Sequence, residues 1–188
     1  MIKIGITGSI ASGKTTASKI LSRRRGPLFS ADIAVQELYK KDNFKRVFIK
    51  RFNITNKLKL KTLLKRKILN NKINIKKLER IVHPLVRKEM KNFSRKNKNK
   101  KMLFYEIPLL IESKLMNYFD IIVFIKANKD IRLKRFKAKG GNKKLFNLLS
   151  NKQLQDSQKG KFCNHVVVNE KNLTILKKNL LDIIKLYE

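Results

Sequence analysis

The sequence predicts an α/β fold built on a five-stranded parallel sheet. Five short segments are rich in β-branched and other apolar residues, and stretches with helical spacing separate them along the 188 residues. The strand candidates lie at 2–7, 28–30, 102–107, 121–125 and 165–169. The third and fourth are continuous apolar runs, which is typical of strands buried inside a parallel sheet. Strands that alternate with helices indicate an α/β core.

Helical segments fill the stretches between these strands. A helix at about 14–24 follows the first strand, and a long lysine-rich stretch with apolar residues at helical spacing follows the second. A polar segment at 132–161 separates the last two strands, and we interpret it as a mobile lid. The last segment is an amphipathic helix whose apolar face consists of Leu173, Leu176, Leu180, Ile183, Ile184 and Tyr187.

The chain is strongly basic, with a formal net charge of +34 from 47 Lys and Arg against 13 Asp and Glu. Such a charge is common in proteins that bind nucleic acid or membrane surfaces. However, 36 of these 47 residues are Lys and they are scattered over every segment, as expected when an A/T-rich genome biases the codons. We therefore expect no specific nucleic-acid partner and no membrane partner. Hydrophobic residues make up 42% of the chain, which argues against a disordered polycation.

Cysteine use and hydropathy predict where the protein acts. Cys163 is the only cysteine, so an intramolecular disulfide and a two-cysteine metal site are excluded. No apolar run approaches the roughly 18 residues that a membrane span requires. These features predict a soluble cytoplasmic protein, and we expect a monomer or a weak homo-oligomer.

A phosphate-binding loop motif stands between the first strand and the first helix. Residues 8–15 match the pattern G-x-x-x-x-G-K-[ST] completely. In such a loop the backbone N–H groups turn toward a β-phosphate, and the positive end of the following helix points at the same anion. Lys14 is expected to reach the β- and γ-phosphates, and the Thr15 hydroxyl to bind Mg²⁺. The predicted ATP-binding residues of this segment are Gly8, Ser9, Ile10, Ala11, Ser12, Gly13, Lys14, Thr15 and Thr16.

Two acidic residues follow strands at the same edge of the predicted sheet. Asp32 comes just after the second strand, where the carboxyl edge of a parallel sheet places it beside the phosphate loop. It can accept a proton from an attacking hydroxyl, or it can cap the helix that follows, and position alone favours neither role. Glu106 ends the third strand and is expected to hold Mg²⁺ through a water.

Other polar residues carry weaker signals. The pair His83-Pro84 by itself is typical of a helix end followed by a turn-forming proline. Arg132 and Arg135 lie on a predicted helix after the fourth strand, where they can clamp phosphates. Solvated basic side chains on a helix give the same pattern.

Taken in order, these segments resemble the dephospho-CoA kinase family over nearly the whole chain. The chain has the phosphate loop at 6–16, Ala31-Asp32, the pattern His-Pro-x-x-Arg at 83–87 and the pattern Pro-Leu-Leu-x-Glu at 108–112. The last two patterns separate this family from nucleoside monophosphate and shikimate kinases. A lid arginine, a glutamine, a lysine and a strand-end asparagine of the family correspond to Arg135, Gln153, Lys159 and Asn169.

The resemblance implies a P-loop kinase that transfers the γ-phosphoryl group of ATP to the ribose 3′-hydroxyl of dephospho-coenzyme A. It implies a core at about 1–32, 101–131 and 162–188, a helical acceptor-binding insert at about 33–100 and a lid at about 132–161. Its substrates would be ATP and dephospho-CoA, with Mg²⁺ as the cofactor.

The same resemblance implies roles for individual residues. Asp32 is expected to be the general base, Lys14 and Mg²⁺ to neutralise the transferred group, and Arg135 to act from the lid. Lys139 stands where a second lid arginine is usual, and a lysine cannot make the bidentate phosphate contact of an arginine. The implied acceptor-binding residues are Asp32, His83, Arg87, Pro108 and Leu109.

Two other functions compete with this interpretation. Another small P-loop kinase, with a nucleotide or a shikimate-like acceptor, has the same phosphate loop, although the His-Pro and Pro-Leu-Leu patterns weigh against it. A nucleic-acid-binding NTPase agrees with the charge of +34. The basic regions lack the aromatic stacking pattern and the recognition motifs of such proteins.

Overall fold

A computed structural model describes residues 1–52 and 75–188 of the chain. Contacts divide these residues into two compact units. The core unit contains residues 1–30 and 97–188, and the helical unit contains residues from 31–96. Residues 53–74, which the predicted helical insert includes, lie outside the described residues.

The core unit contains a five-stranded parallel sheet, which confirms the predicted fold class. Its strands are β1 (Ile2–Gly8), β2 (Leu28–Ser30), β3 (Met102–Glu106), β4 (Ile121–Lys126) and β5 (His165–Val168). The order across the sheet is β2-β3-β1-β4-β5. The strand that leads into the phosphate loop is therefore the central one, with parallel neighbours on both sides.

Helices follow most strands, as the crossovers of a parallel sheet require. The described α-helices are α1 (Lys14–Ser22), α2 (Ala31–Lys40), α3 (Asp42–Phe52), α4 (Ile75–Lys96), α5 (Lys129–Ala138), α6 (Lys143–Ser150), α7 (Asp156–Gly160) and α8 (Leu173–Ile184). Short 3₁₀ helices occupy Met116–Tyr118 and Lys185–Tyr187. Among the residues that the structure describes, no helix is both long and apolar enough to cross a membrane.

The main hydrophobic core lies where α1 and α8 pack against the sheet. Ile4 and Ile6 of β1, Leu21 of α1 and Leu180 of α8 are at most 1% exposed and belong to one cluster of buried side chains. Burial of such side chains stabilises a fold by roughly 1.5–3 kcal/mol each. The end of β1, and with it the phosphate loop, is therefore fixed to the most buried part of the core unit.

The helical unit differs from the sequence prediction at one proline. The pair His83-Pro84 was expected to end a helix, yet α4 continues through Pro84 to Lys96. Proline removes one helical hydrogen bond, but Val82, Val86 and Met90 recur at four-residue intervals and are buried, whereas Pro84 is exposed. The burial of this apolar face maintains the helix across the proline.

We predict that Pro84→Ala stabilises the helical unit, because alanine restores the missing N–H donor at an exposed position inside α4. The expected gain in unfolding free energy is about 1–3 kcal/mol, since proline is the least favourable residue in a helix interior. Urea unfolding followed by far-UV circular dichroism measures the change. Pro27→Ala is the matched control and should give no gain, because Pro27 precedes a strand. A loss of stability in Pro84→Ala would contradict this account.

Candidate active site

The phosphate loop connects the central strand to α1 and has the backbone conformation that its glycines allow. Gly13 has a φ of +100°, in the region that glycine adopts without steric cost. A Cβ atom on Gly8 would lie 2.5 Å from the Ile125 carbonyl oxygen and 2.7 Å from Ser12 Oγ. Both glycines are therefore required by the shape of the loop, one by its φ and the other by close packing.

Lys14 and Thr15 are the first residues of α1, and their side chains contact the beginning of the loop and strand β3 respectively. Lys14 is 9% exposed, and its Nζ donates a hydrogen bond to the Ser9 carbonyl oxygen at 2.9 Å. The Thr15 hydroxyl donates to Glu106 Oε1 at 2.6 Å. Glu106 is only 4% exposed, and it reaches this position because β3 pairs with β1 in a register that sets Glu106 beside Ile6.

Thr15 and Glu106 form an oxygen-only pair of the kind that Mg²⁺ prefers. Magnesium is usually bound through one or two protein oxygens, with waters and substrate phosphates completing the shell. Within residues 1–52 and 75–188 there is no group of three or more His, Cys, Asp and Glu side chains that would form an all-protein cage. The residues present therefore fit a magnesium ion that arrives with a phosphate ligand.

Asn169 and Arg135 support the end of the loop that leads into α1. Asn169 follows β5, is 7% exposed, and donates from Nδ2 to the Ser12 carbonyl oxygen at 2.8 Å. Arg135 of α5 donates from Nη1 to the Asn169 carbonyl oxygen at 3.0 Å. Arg135, which the family resemblance implies is an ATP-binding residue of the lid, is thus linked through Asn169 to the backbone just before Gly13.

Gln153, in the turn before α7, and Asp156, the first residue of α7, hold the beginning of the loop. Gln153 Oε1 accepts a hydrogen bond from the Ile10 amide at 2.8 Å. The Ser9 hydroxyl, in a residue that is 2% exposed, donates to Asp156 Oδ1. The sequence analysis missed Asp156 because nothing in the local pattern connects two residues that lie 147 positions apart.

The remaining predicted site residues are distributed over both units. Thr16 is exposed on α1, Lys139 is exposed just after α5, and Pro108 accepts a hydrogen bond through its carbonyl oxygen from the Thr7 hydroxyl at 3.2 Å. Leu109, beside Pro108, is partly buried. All of these lie in the core unit.

Asp32, His83 and Arg87 belong to the helical unit. Asp32 is exposed in the first turn of α2, which begins at Ala31, so it lies inside the helix and does not precede it as a cap. A carboxylate in a first turn is favoured by the helix dipole. Burial lowers the pKa of the His83 imidazole. Among nearby charges, Glu79 raises this pKa and Arg87 lowers it. Because the net shift is downward from the ordinary value for histidine, the imidazole is neutral near pH 7.

Comparison with known proteins identifies the family of this chain. A family model described as dephospho-CoA kinase matches residues 2–174. The chain belongs to the dephospho-CoA kinase family. A dephospho-CoA kinase of Rickettsia typhi is 36% identical over 194 aligned residues, with 96% of this chain and 98% of the relative covered. A dephospho-CoA kinase of Bartonella quintana is 31% identical and covers 97% of this chain and 96% of its own length.

Solved structures agree with this family at the level of the fold. A dephospho-CoA kinase from Campylobacter jejuni has a TM-score of 0.68 and 25% identity, with 97% of this chain and 95% of that chain covered. A protein from Thermus thermophilus has a TM-score of 0.80 at 25% identity, covering 100% of this chain and 98% of its own. A shikimate kinase from Aquifex aeolicus, at 18% identity and a TM-score of 0.57, shares the fold alone. The resemblance to dephospho-CoA kinases seen in the sequence is thus confirmed, and the chain is a P-loop kinase of that family.

We predict that Gly13→Ala weakens ATP binding by this member of the dephospho-CoA kinase family. The new Cβ would lie 2.2 Å from Asn169 Nδ2 at a φ of +100°, so both the loop and the Asn169 contact must shift. Equilibrium titration with Mg-ATP should show a loss of affinity of at least about tenfold, because the clash with Asn169 displaces the loop that would bind the phosphates.

Gly140→Ala is the matched control for this substitution. Gly140 also has a positive φ, of +79°, but among the described residues, its own chain neighbours apart, no atom lies within 4 Å of the position of its Cβ. Its substitution imposes a similar backbone cost without a clash, and ATP affinity should stay near that of the wild type. Equal affinity losses in the two variants would contradict the role of the Gly13–Asn169 contact.

Proposed function

We propose that this protein transfers the γ-phosphoryl group of ATP to the ribose 3′-hydroxyl of dephospho-CoA, giving CoA and ADP. The observation that carries the proposal is the pairing of the phosphate loop with Glu106, through the 2.6 Å contact from Thr15, in a chain that matches the dephospho-CoA kinase family over residues 2–174. A loop of this kind binds the phosphates of a nucleotide, and the family identifies the acceptor. No observation favours a second acceptor class.

The donor phosphates are proposed to lie across the N-terminus of α1. The first N–H groups of a helix have no partner inside the helix, and the helix dipole is positive at that end. Lys14, the first residue of α1, adds a full positive charge beside these donors. Together they bind the β-phosphate and stabilise the charge that develops on the γ-phosphoryl group during transfer.

Thr15 and Glu106 are the residues that would hold Mg²⁺ in this proposal. The ion would supply charge neutralisation on the β- and γ-phosphate oxygens when it is bound. Glu106 contributes by orienting the Thr15 hydroxyl, which it does through the 2.6 Å hydrogen bond. Glu106 is shielded from solvent and attached to β3, so its carboxylate has a fixed position relative to the loop.

Asp32 is proposed to accept the proton of the acceptor hydroxyl. As the 3′-oxygen forms its bond to the γ-phosphorus, the bond from phosphorus to the β,γ-bridging oxygen breaks and ADP leaves. The proton of the hydroxyl then passes to the Asp32 carboxylate. Two features support this role: Asp32 is exposed, and it follows by two positions Ser30, which pairs with Glu106 in the sheet.

Basic residues after β4 are proposed to complete the nucleotide site. Arg135 is half-buried beside Asn169, and Lys139 is exposed at the end of the same helix. A charged lid over the phosphates excludes water, which protects ATP from hydrolysis. We further propose that His83, Arg87, Pro108 and Leu109 contribute to binding dephospho-CoA.

We propose that the protein acts in the cytoplasm, because its single cysteine cannot form an intramolecular disulfide. Cys163 donates to the Lys159 carbonyl oxygen at 3.2 Å. Burial raises the pKa of Cys163 to about 11, while Lys159 lowers it and Glu112 raises it further. A thiol with a raised pKa is neutral near pH 7 and is a weak nucleophile.

The acceptor assignment is tested by incubating the purified protein with Mg-ATP and dephospho-CoA, and measuring ADP and CoA. Shikimate and AMP in parallel reactions test the other acceptor classes. Formation of CoA at a rate well above that of ADP formation without acceptor supports the proposal. Phosphorylation of shikimate or AMP in preference to dephospho-CoA would refute it.

We predict that Lys14→Ala loses nearly all transfer activity and stays folded. The substitution removes a charge aimed at the β- and γ-phosphates, which corresponds to roughly 3 kcal/mol or more of transition-state stabilisation and a loss of at least about 100-fold in kcat/KM. Lys19→Ala, an exposed lysine on the same helix, is the control and should keep full activity. A Lys14→Ala variant with more than half of wild-type turnover would exclude phosphate binding by this loop.

We also predict that Asp32→Asn lowers turnover by roughly 10²- to 10⁴-fold, because the amide has no basic carboxylate oxygen. Stability should change by less than about 1 kcal/mol, the usual value of a charge in a first turn. Asp42→Asn makes the same change in the first turn of α3 and serves as the control. The measurement is turnover at saturating Mg-ATP and dephospho-CoA. Unchanged turnover in a folded Asp32→Asn variant would show that Asp32 is not the general base.

A further inference from the structure

The segment at 153–159 contacts the phosphate loop from outside the loop's own sequence, and we call it the brace. It contains the turn before α7 and the first residues of that helix. Gln153 accepts a hydrogen bond from the Ile10 amide at 2.8 Å, and Asp156 accepts one from the Ser9 hydroxyl. Two adjacent residues of the loop are thus held by two acceptors that lie three positions apart in the brace.

These contacts fall in the first half of the loop. Ser9 and Ile10 follow Gly8, whereas the N–H groups that open α1 belong to the second half, beginning at Lys14. The brace therefore holds the loop without covering the helix end to which a phosphate is attracted.

Ser9 is also the residue that Lys14 contacts. The Lys14 ammonium donates to the Ser9 carbonyl oxygen at 2.9 Å, while the Ser9 hydroxyl donates to Asp156. An ammonium that turns toward phosphate oxygens weakens or leaves its contact with this carbonyl. The bond to Asp156 does not involve the lysine, so it keeps Ser9 in place when Lys14 turns to the nucleotide.

The brace is itself anchored to the loop that follows β3. Glu112 Oε1 accepts a hydrogen bond from the Leu154 amide at 3.0 Å. The Lys159 Nζ lies 2.8 Å from the same oxygen, an ion-pair contact without hydrogen-bond angles. One carboxylate thus fixes the brace at two points, one near each of its ends.

Burial makes this anchor hard to release. The Lys159 side chain is fully buried and that of Glu112 is 15% exposed. Loss of one partner from a buried ion pair leaves an uncompensated charge and is strongly destabilising. Gln153 and Asp156 therefore present their acceptors to the loop from a segment that is held to the core unit, and any motion of the predicted lid at 132–161 would have to leave this segment in place.

We propose that Asp156, with Gln153, positions the phosphate loop for ATP, with Asp156 acting through the Ser9 hydroxyl. The inference rests on the proposed function only in taking the loop as the site of ATP. A loop held open before the nucleotide arrives loses little conformational entropy on binding. A loop that keeps one shape binds the ground state and the transition state equally, so this preorganisation is expected to lower KM for ATP and to leave kcat nearly unchanged.

The carboxylate of Asp156 can also act against ATP binding, and this inhibitory role predicts a different result from the positioning role. The negative charge of Asp156 repels the triphosphate, so an inhibitory role predicts tighter ATP binding when the charge is removed. Positioning predicts weaker binding when the acceptor is removed and near-normal binding when the charge alone is removed. Asp156→Ala and Asp156→Asn distinguish the two roles.

The experiment compares Asp156→Ala, Asp156→Asn, Ser9→Ala and the double variant Ser9→Ala/Asp156→Ala. Calorimetric titration gives the Kd for Mg-ATP, and steady-state kinetics with dephospho-CoA give kcat and KM. Asp156→Ala should weaken ATP binding and raise KM for ATP by about tenfold, the usual effect of losing a hydrogen bond to a charged group. Its kcat should stay within about threefold of wild type. Asp156→Asn should bind ATP within about threefold of wild type, because the amide oxygen still accepts from Ser9.

The double variant tests whether Asp156 acts through Ser9. Substitutions of two residues that share one hydrogen bond have non-additive effects. The Kd of the double variant for Mg-ATP should therefore be no higher than the higher of the two single-variant Kd values. Additive losses would overturn the proposal, as would tighter ATP binding or an unchanged Kd in Asp156→Ala. A defect in Asp156→Asn as large as that in Asp156→Ala would also overturn it.

Controls keep the test decisive. Asp182→Ala removes an exposed carboxylate from α8 and should leave the Kd for Mg-ATP unchanged. If Asp156→Ala does not fold, Gln153→Ala decides instead, since it removes the acceptor of the Ile10 amide and should also raise the Kd for Mg-ATP severalfold. The titrations contain no acceptor, so they test the brace independently of the acceptor assignment. A wild-type protein that binds ATP but does not phosphorylate dephospho-CoA would refute the proposed function, and the Kd values for Mg-ATP would still test the brace.

Discussion

The site depends on one physical constraint: a buried length of irregular backbone must keep the N–H groups at the start of α1 available for an anion. Inside a protein every other polar group of such a loop needs a partner, because an unpaired buried group is costly. The partners here come from distant segments. Asn169 bonds to the Ser12 carbonyl, Gln153 to the Ile10 amide, Asp156 to the Ser9 hydroxyl and Glu106 to the Thr15 hydroxyl.

The parallel sheet makes this arrangement possible by bringing several chain segments to one edge. Gly8, Glu106 and Asn169 each stand at or just after the carboxyl end of a strand, in β1, β3 and β5 respectively. Because all the strands are parallel, these ends meet at the same edge of the sheet, where open α/β sheets bind their ligands. The central place of β1 then puts supporting groups on both sides of the loop.

Much of this architecture could be predicted from the sequence because it depends on local patterns. The five strands, the phosphate loop and the α/β class follow from apolar periodicity and from glycine spacing, and the family resemblance added Gln153 and Asn169. The contact of Asp156 with Ser9 could not be predicted, since a hydrogen bond across 147 positions leaves no local trace.

Other expectations failed or remain predictions for physical reasons. The helix that passes through Pro84 was misjudged because the burial of one apolar face outweighs the loss of a single hydrogen bond. The roles of Asp32, His83 and Arg87 stay predictions, because they concern contacts with the bound acceptor substrate. The boundaries of the helical insert and of the lid stay predictions as well.

The strand order also has a consequence for how the chain folds during its synthesis. β1 is made first, but its two neighbours in the sheet are β3, at 102–106, and β4, at 121–126. At about 5–20 residues per second, the ribosome needs about 5–20 seconds to supply the first of these partners. Until then Ile4 and Ile6, among the most buried side chains of the finished protein, have no sheet to join. The apolar face of β1 therefore stays exposed to solvent until β3 and β4 have been synthesised, and in that interval the strand is prone to wrong association.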